Sequence, residues 1–282
     1  KNENSRVRAR RAANVIASGS IVKLAAGLNL DDAQTLQTIG KGQVVVKLRA
    51  FLRDRPHKSS FVEGKDPHYE VVRVASLKGV SGLTAKLIDY FSKDPVWKDF
   101  PIPPRESVDV GLEDEDQPWL LLDARGLTNN DKVSPALFPK IQSEEGEIIY
   151  EVKGVGEKAL KERGMMNYVV TDESAEDLRS DHRLIENILA AAGLIVGVDE
   201  ARAENHQRRK KRRRYIVTDV KAVQGLAKTN LVVSAKDARN LKAEDSASRI
   251  LKKCRVVVIA SSPIGGVEGA IPRLLAMVEG NS

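Results

Sequence analysis

The strongest constraint on the fold is an uninterrupted run of seven basic residues, followed at once by a segment with the apolar pattern of a strand. The run consists of Arg208, Arg209, Lys210, Lys211, Arg212, Arg213 and Arg214. Like charges at successive positions repel one another, so the run is not expected to pack as a helix or strand on its own account. We therefore predict that it forms a loop between Gly197 and the strand that begins near Tyr215.

This run accounts for the whole excess of positive charge in the protein. The 282 residues include 46 Lys and Arg against 39 Asp and Glu, and the net charge is +7. The rest of the chain is therefore neutral, and the basic character is local. A local patch directs an electric field that attracts polyanions, whereas a uniform basic coat would indicate only solubility.

Apolar patterns along the chain predict a mixture of helices and strands. Helices are predicted in residues 5–39, 82–94, 174–193 and 268–280. Strands are predicted in residues 43–54, 68–77, 119–123, 147–154, 166–172, 214–220, 228–241 and 250–263, with a polar linker at 55–67. Helices and strands do not alternate strictly, and hairpin signals are mixed in. We therefore predict an α+β fold with a mixed or antiparallel sheet and packed helices, rather than a doubly wound sheet.

The same patterns divide the chain into three segments. Residues 1–40 form a helical N-terminal segment, 41–165 a first α+β lobe with loop insertions, and 166–282 a second α+β lobe with the basic loop 204–214. The first segment has its own basic cluster, which consists of Arg6, Arg8, Arg10 and Arg11. This cluster is interpreted either as a basic arm or as a frayed tail.

One arrangement of residues fits an enzyme. Glu151 and Lys153 lie two positions apart in a predicted strand and would share one face, while Asp123 ends an earlier strand. This is the layout of metal-dependent nucleases of the PD-(D/E)xK type, in which two carboxylates hold a divalent metal. The same residues also fit the solvent face of a half-exposed strand. The four histidines are not at ligand spacings and cysteine occurs once, so we predict no zinc site and no cofactor.

The region from residue 181 to residue 220 reads as helix, glycine, apolar stretch, glycine, basic loop and strand. Its pattern "AAGLIVGVDEAR…RRRYIV" resembles the glycine-rich turn and Arg-rich loop of the RAMP superfamily, the backbone subunits of CRISPR effector complexes that coat a guide RNA. Related phage proteins have a similar stretch. The resemblance implies an RNA-recognition-like (ferredoxin-like) core. It would place Gly193, Gly197 and Arg202 in the turn and the basic run over the nucleic-acid backbone.

These observations predict a protein that binds the phosphate backbone of RNA or DNA through the basic run, with Arg202 and the N-terminal arginines as further contacts. Neutralising phosphates releases counterions, which supplies affinity without reading sequence. Aromatic residues make up only 4% of the chain, so base stacking is not expected to dominate. The alternatives are the nuclease and a coat or scaffold protein whose run is a localisation signal, a solvated loop or a loop that faces a genome.

The remaining sequence features concern partners and location. We expect a homo- or hetero-oligomer within a nucleoprotein, viral or phage assembly. No membrane span is expected, because no window approaches 18 apolar residues. The chain starts without Met and without an apolar secretory stretch, which indicates a trimmed chain or a fragment. Cys254 is expected to be a small buried hydrophobe in a reducing compartment, the cytoplasm or, in a eukaryotic host, the nucleus.

Overall fold

A computed structural model of the protein describes residues 2–39, 43–53, 57–93, 117–127, 131–171, 178–191, 193–194 and 214–261. The helices are α1 (Asn2–Ala26), α2 (Leu36–Ile39), α3 (Gln43–Arg53), α4 (Leu83–Phe91), α5 (Glu157–Arg163), α6 (His182–Ala191) and α7 (Ala235–Ser248). The strands are β1 (His57–Val62), β2 (His68–Arg73), β3 (Trp119–Asp123), β4 (Ile141–Ser143), β5 (Ile148–Tyr150), β6 (Asn167–Val170), β7 (Tyr215–Gln224), β8 (Asn230–Val233) and β9 (Val256–Ala260). The predicted closing helix at 268–280 lies outside the described residues.

The N-terminal segment is helical, as predicted, but its first half is exposed. Helix α1 buries Val22, Ala25 and Ala26 only near its C-terminal end. The strand predicted at 43–54 is wrong, because this segment is helix α3. Leu48 and Leu52 lie one turn apart on its buried face, and that helical spacing gains more burial than the alternation of a strand.

A two-stranded antiparallel hairpin packs against α1. Strand β2 confirms the strand predicted at 68–77, whereas the linker predicted at 55–67 contains strand β1. Phe61 and Tyr69 are directly paired across the two strands, and their rings lie 5.0 Å apart. The first four of the six residues of β1 are polar, so its apolar pattern was too weak to predict it. Pairing with β2 and packing on α1 stabilise it instead.

The described residues contain a seven-stranded mixed sheet in the order β5-β4-β8-β7-β3-β9-β6. Strand β3 pairs in parallel with both β7 and β9, and β6 pairs in parallel with β9. Strand β8 pairs antiparallel with β7, and β5 antiparallel with β4. The predicted α+β class with a mixed sheet is therefore confirmed. The parallel centre of the sheet differs from the antiparallel sheet of an RNA-recognition-like core. The sheet also combines strands from both sides of residue 165.

Both faces of the central strands are covered. Leu120, Leu122 and Val258 belong to a core that includes the N-terminal helices and α4. Leu121 and Val257 face the opposite way, into a second core with α6. Strands buried on both faces are continuously apolar, and for this reason β3 and β9 could be predicted from the sequence. Among the described residues, no helix is long and apolar enough to cross a membrane.

Candidate nucleic-acid interface

The basic run meets the sheet where its parallel strands begin. Strands β3, β6, β7 and β9 point the same way, so their first residues share one edge, which we call the amino edge. The last residue of the run, Arg214, directly precedes β7. The other six residues of the run and Arg202 lie outside the described part of the chain. The amino edge is therefore the part of the fold to which the run is attached.

Arg214 is fixed at both its backbone and its side chain. Its carbonyl oxygen accepts a hydrogen bond of 3.0 Å from the backbone N–H of Trp119, at the start of β3. Its guanidinium donates to Glu244 of helix α7, with 3.0 Å between Nη2 and Oε1. The Arg214 side chain is nevertheless 65% exposed. The C-terminal end of the run is thus held at the sheet while its charge still faces solvent.

Other cations at the amino edge donate to neutral groups. Arg255 precedes β9 and donates to the carbonyl of Gln117 at 2.9 Å, with its guanidinium 5.5 Å from the centre of the Trp119 ring. Arg163, at the end of α5, donates to the carbonyl of Lys253 at 3.0 Å. A carbonyl satisfies the N–H group without cancelling its charge. These two hydrogen bonds therefore do not themselves neutralise the guanidinium charges.

Lys78 adds a further cation at the start of β6. Its ammonium donates to Oδ1 of Asn167 at 2.6 Å, and the backbone N–H of the neighbouring Gly79 donates to the carbonyl of Glu162. Burial lowers the pKa of Lys78 from its ordinary value, because desolvation penalises the charged amine. Burial likewise lowers the pKa of Arg163. Desolvation thus acts on two cations of this edge.

At the opposite end of the parallel strands, which we call the carboxyl edge, acids and bases are paired. Asp123 accepts two hydrogen bonds from the guanidinium of Arg125, at 2.9 Å from Nε and 2.8 Å from Nη2. Asp219 is the direct neighbour of Asp123 on β7, and it pairs with Arg179 at 3.0 Å. Each of these carboxylates therefore has an arginine beside it.

The structure does not bring the three proposed nuclease residues together. Strands β7, β8 and β4 lie between β3 and β5, and at about 4.8 Å per strand this separates Asp123 from Glu151 by roughly 19 Å. The strand predicted at 147–154 ends at Tyr150, and Lys153 lies in a 3₁₀ turn. The described residues contain no group of three His, Cys, Asp or Glu suited to a metal. The nuclease geometry is thus absent from this part of the chain.

The N-terminal arginines lie on the exposed half of α1. Arg6 is placed over the Phe61 ring, 4.5 Å from its centre, and it lies 3.9 Å from Glu63. Arg8, Arg10 and Arg11 are exposed on the same helix. This cluster is therefore part of a regular helix next to the hairpin, not a frayed tail.

Sequence reasoning missed the cations along the rest of the amino edge. Lys78, Arg163 and Arg255 are far apart in the chain, and they reach one edge because β9 pairs in parallel with both β3 and β6. Arg255 lies just before β9, and Arg163 ends α5, the helix that leads into β6, whereas Lys78 lies in the turn before α4. That position relative to predicted strands is the signal that could have located Arg163 and Arg255.

Comparison with known proteins identifies the part of the chain that forms the sheet. The family described as Treponema pallidum Tp0624, second domain, matches residues 119–262, just over half of the 282 residues. The match starts at the first residue of β3 and extends past β9, so it includes every strand of the seven-stranded sheet. No curated protein matches the chain.

Proposed function

The chain belongs to the family of the Treponema pallidum Tp0624 second domain, and we propose that it binds the phosphate backbone of nucleic acid at the amino edge of its sheet. The observation that carries this proposal is the attachment of the seven-residue basic run to that edge through Arg214. The run would supply contacts to phosphates, and the exposed guanidinium of Arg214 would add a further contact at the edge itself.

The charge arrangement supports backbone contacts rather than base reading. Arginine presents a planar fork of donors that suits phosphate oxygens, and lysine presents a compact point charge. At the amino edge, Trp119 is buried against Arg255 instead of lying open as a stacking surface. We therefore propose binding of low sequence specificity with a steep dependence on salt.

We further propose that the protein works as a subunit of a nucleoprotein assembly, with the arginines of α1 as a second contact. Arg8, Arg10 and Arg11 are exposed and contribute positive charge away from the run. A guide-RNA subunit of the kind that the RAMP resemblance implies would oligomerise along RNA with a fixed footprint. A viral or phage coat protein would self-assemble without nucleic acid. In either case we place the protein in the cytoplasm, or in the nucleus of a eukaryotic host.

Fluorescence anisotropy over a salt series tests the proposed function. The probes are labelled single-stranded RNA, single-stranded DNA and duplex DNA. The test variant replaces residues 208–214 with Ser and Gly. The matched control changes the five arginines of the run to lysine, which keeps its charge. For a single strand we expect the variant to lose about 5 units of log–log salt slope if all seven cations contact phosphates, at roughly 0.7 per contact.

The outcomes separate this function from its alternatives. The all-lysine control should keep most of the slope, because the counterion effect depends on charge. The nucleic acid that binds most tightly identifies the natural class of ligand. Equal binding by the wild type and the Ser/Gly variant would contradict the proposal and would leave the run as a localisation signal or a solvated loop.

A further inference from the structure

Helix α7 has no net charge, but its exposed positions include basic residues and no acidic ones. It contains three basic and three acidic residues. The exposed side chains are Lys236, Arg239, Asn240, Ala243, Ser246 and Ala247, and Arg249 follows at the C-cap. These positions fall about three to four residues apart, so they form one stripe along the helix. The stripe has cations and small side chains but no acid.

The acids of α7 are all half-buried and engaged within the protein. Asp237 accepts a hydrogen bond from the hydroxyl of Ser234 at 2.7 Å. Glu244 accepts from Arg214. Asp245 accepts from the backbone N–H of Leu251 at 2.8 Å. Because these carboxylates are half-buried and bonded within the protein, the exposed positions of α7 carry cations and no acid.

Helix α7 also contacts the last residue of the basic run. Glu244 lies on α7 and contacts Arg214, which ends the run, and the loop after α7 leads to Arg255 at the start of β9. Helix α7 has 14 residues and is therefore about 21 Å long. That length corresponds to roughly six phosphate spacings along one strand of a duplex. Ala243 and Ala247 have short side chains, so a backbone can approach the helix closely between the cations.

We propose that the outer face of α7 is a second phosphate-binding track for the same nucleic-acid strand that the basic run holds. This inference rests on the proposed function. Lys236 and Arg239 provide two charges at one end of the track, and Arg249 and Arg214 provide two at the other. The occupant is a phosphodiester backbone, because the face has repeated positive charge and its only exposed apolar side chains are the two small alanines.

The test uses two variants of α7 in the full chain. The double variant Lys236→Gln and Arg239→Gln should lower the salt slope for single-stranded RNA by about 1.4 units. The variant Asn240→Lys should raise it by about 0.7 units. A gain of binding cannot result from misfolding. The control is Lys86→Gln with Lys93→Gln, which removes two exposed charges near α4.

The results distinguish failure of the track from failure of the proposed function. We expect the double variant of α7 to lose more salt slope than the double variant near α4. We also expect Asn240→Lys to bind more strongly than the wild type. If both α7 variants bind RNA like the wild type while the Ser/Gly variant of the run loses binding, the track is overturned and the proposed function stands. If wild type shows no salt-dependent binding to RNA or DNA, both are overturned.

Discussion

The arginines at the two ends of the parallel strands differ in their main hydrogen-bond partners. At the carboxyl edge, Asp123 and Asp219 each lie against an arginine, so positive and negative charge cancel locally. At the amino edge, Arg255 and Arg163 donate to backbone carbonyls, and their charge is not cancelled by those contacts. A cation can therefore have its hydrogen-bond donors satisfied without having its charge neutralised. An edge can be well bonded and still attract an anion.

Breaking the buried ion pair at the carboxyl edge should have the largest effect on stability. The Arg125 side chain is only 5% exposed and that of Asp123 18%. Asp123→Asn would leave the arginine buried beside a neutral amide, and we expect unfolding free energy to fall by about 3–5 kcal/mol. Urea denaturation measures this change. Asp219→Asn is the matched control, and its more exposed pair should lose less than about 1 kcal/mol. Equal losses would contradict the distinction.

Removing the acid that holds Arg214 should strengthen binding at the amino edge. In Glu244→Gln, the carboxylate no longer competes with phosphate for the guanidinium. The Arg214 side chain is 65% exposed, so stability should change by less than about 1 kcal/mol. We expect affinity for single-stranded RNA at low salt to rise about two- to threefold, with a salt slope steeper by at most about 0.7 units. Anisotropy titration checks this. Weaker binding would mean that Glu244 positions the run productively rather than competing with phosphate.

The pH dependence of stability should reveal the burial of Asp245, another acid of α7. Burial raises the pKa of Asp245, although the N–H of Leu251 partly opposes that shift. The native state therefore holds this proton more tightly than the unfolded state. The contribution of Asp245 to stability is greatest at acid pH and declines as pH rises through its ordinary pKa towards the raised one. Asp245→Asn removes that decline. Denaturation at pH 4 and pH 7 measures the unfolding free energy of both proteins. Relative to wild type, the variant should be more stable at pH 7 than at pH 4, and the reverse order would contradict the burial of Asp245.

The sequence predicted the buried centre of the fold better than its outer layers. Strands β3 and β9 are unbroken apolar runs, and such runs are readable because both of their faces are buried. The segment of α3 has three valines in sequence and was predicted as a strand. Only the tertiary burial of Leu48 and Leu52 selects the helix. Strand β1 depends on its partner β2, so local composition does not predict it.

The candidate site was predictable in part for the same reason. The basic run is a local pattern, and its junction with β7 follows from the sequence. The cations of other elements, such as Arg163 and Arg255, join it only through the parallel pairing of strands distant in the chain. The charge separation on α7 could not be predicted from its neutral composition, because it depends on which side of the helix each charged residue occupies. A helical projection of residues 235–248 would have revealed it.

A nucleic-acid interface at the amino edge is tested most directly by lysine acetylation of the wild-type protein with and without bound single-stranded RNA, read by mass spectrometry of its peptides. We expect RNA to protect Lys210 and Lys211 of the run most strongly and Lys236 on α7 next. Lys86 and Lys93 near α4 should be modified equally in both samples. Protection of the α4 lysines with none in the run or on α7, while RNA is bound, would contradict a nucleic-acid interface at the amino edge.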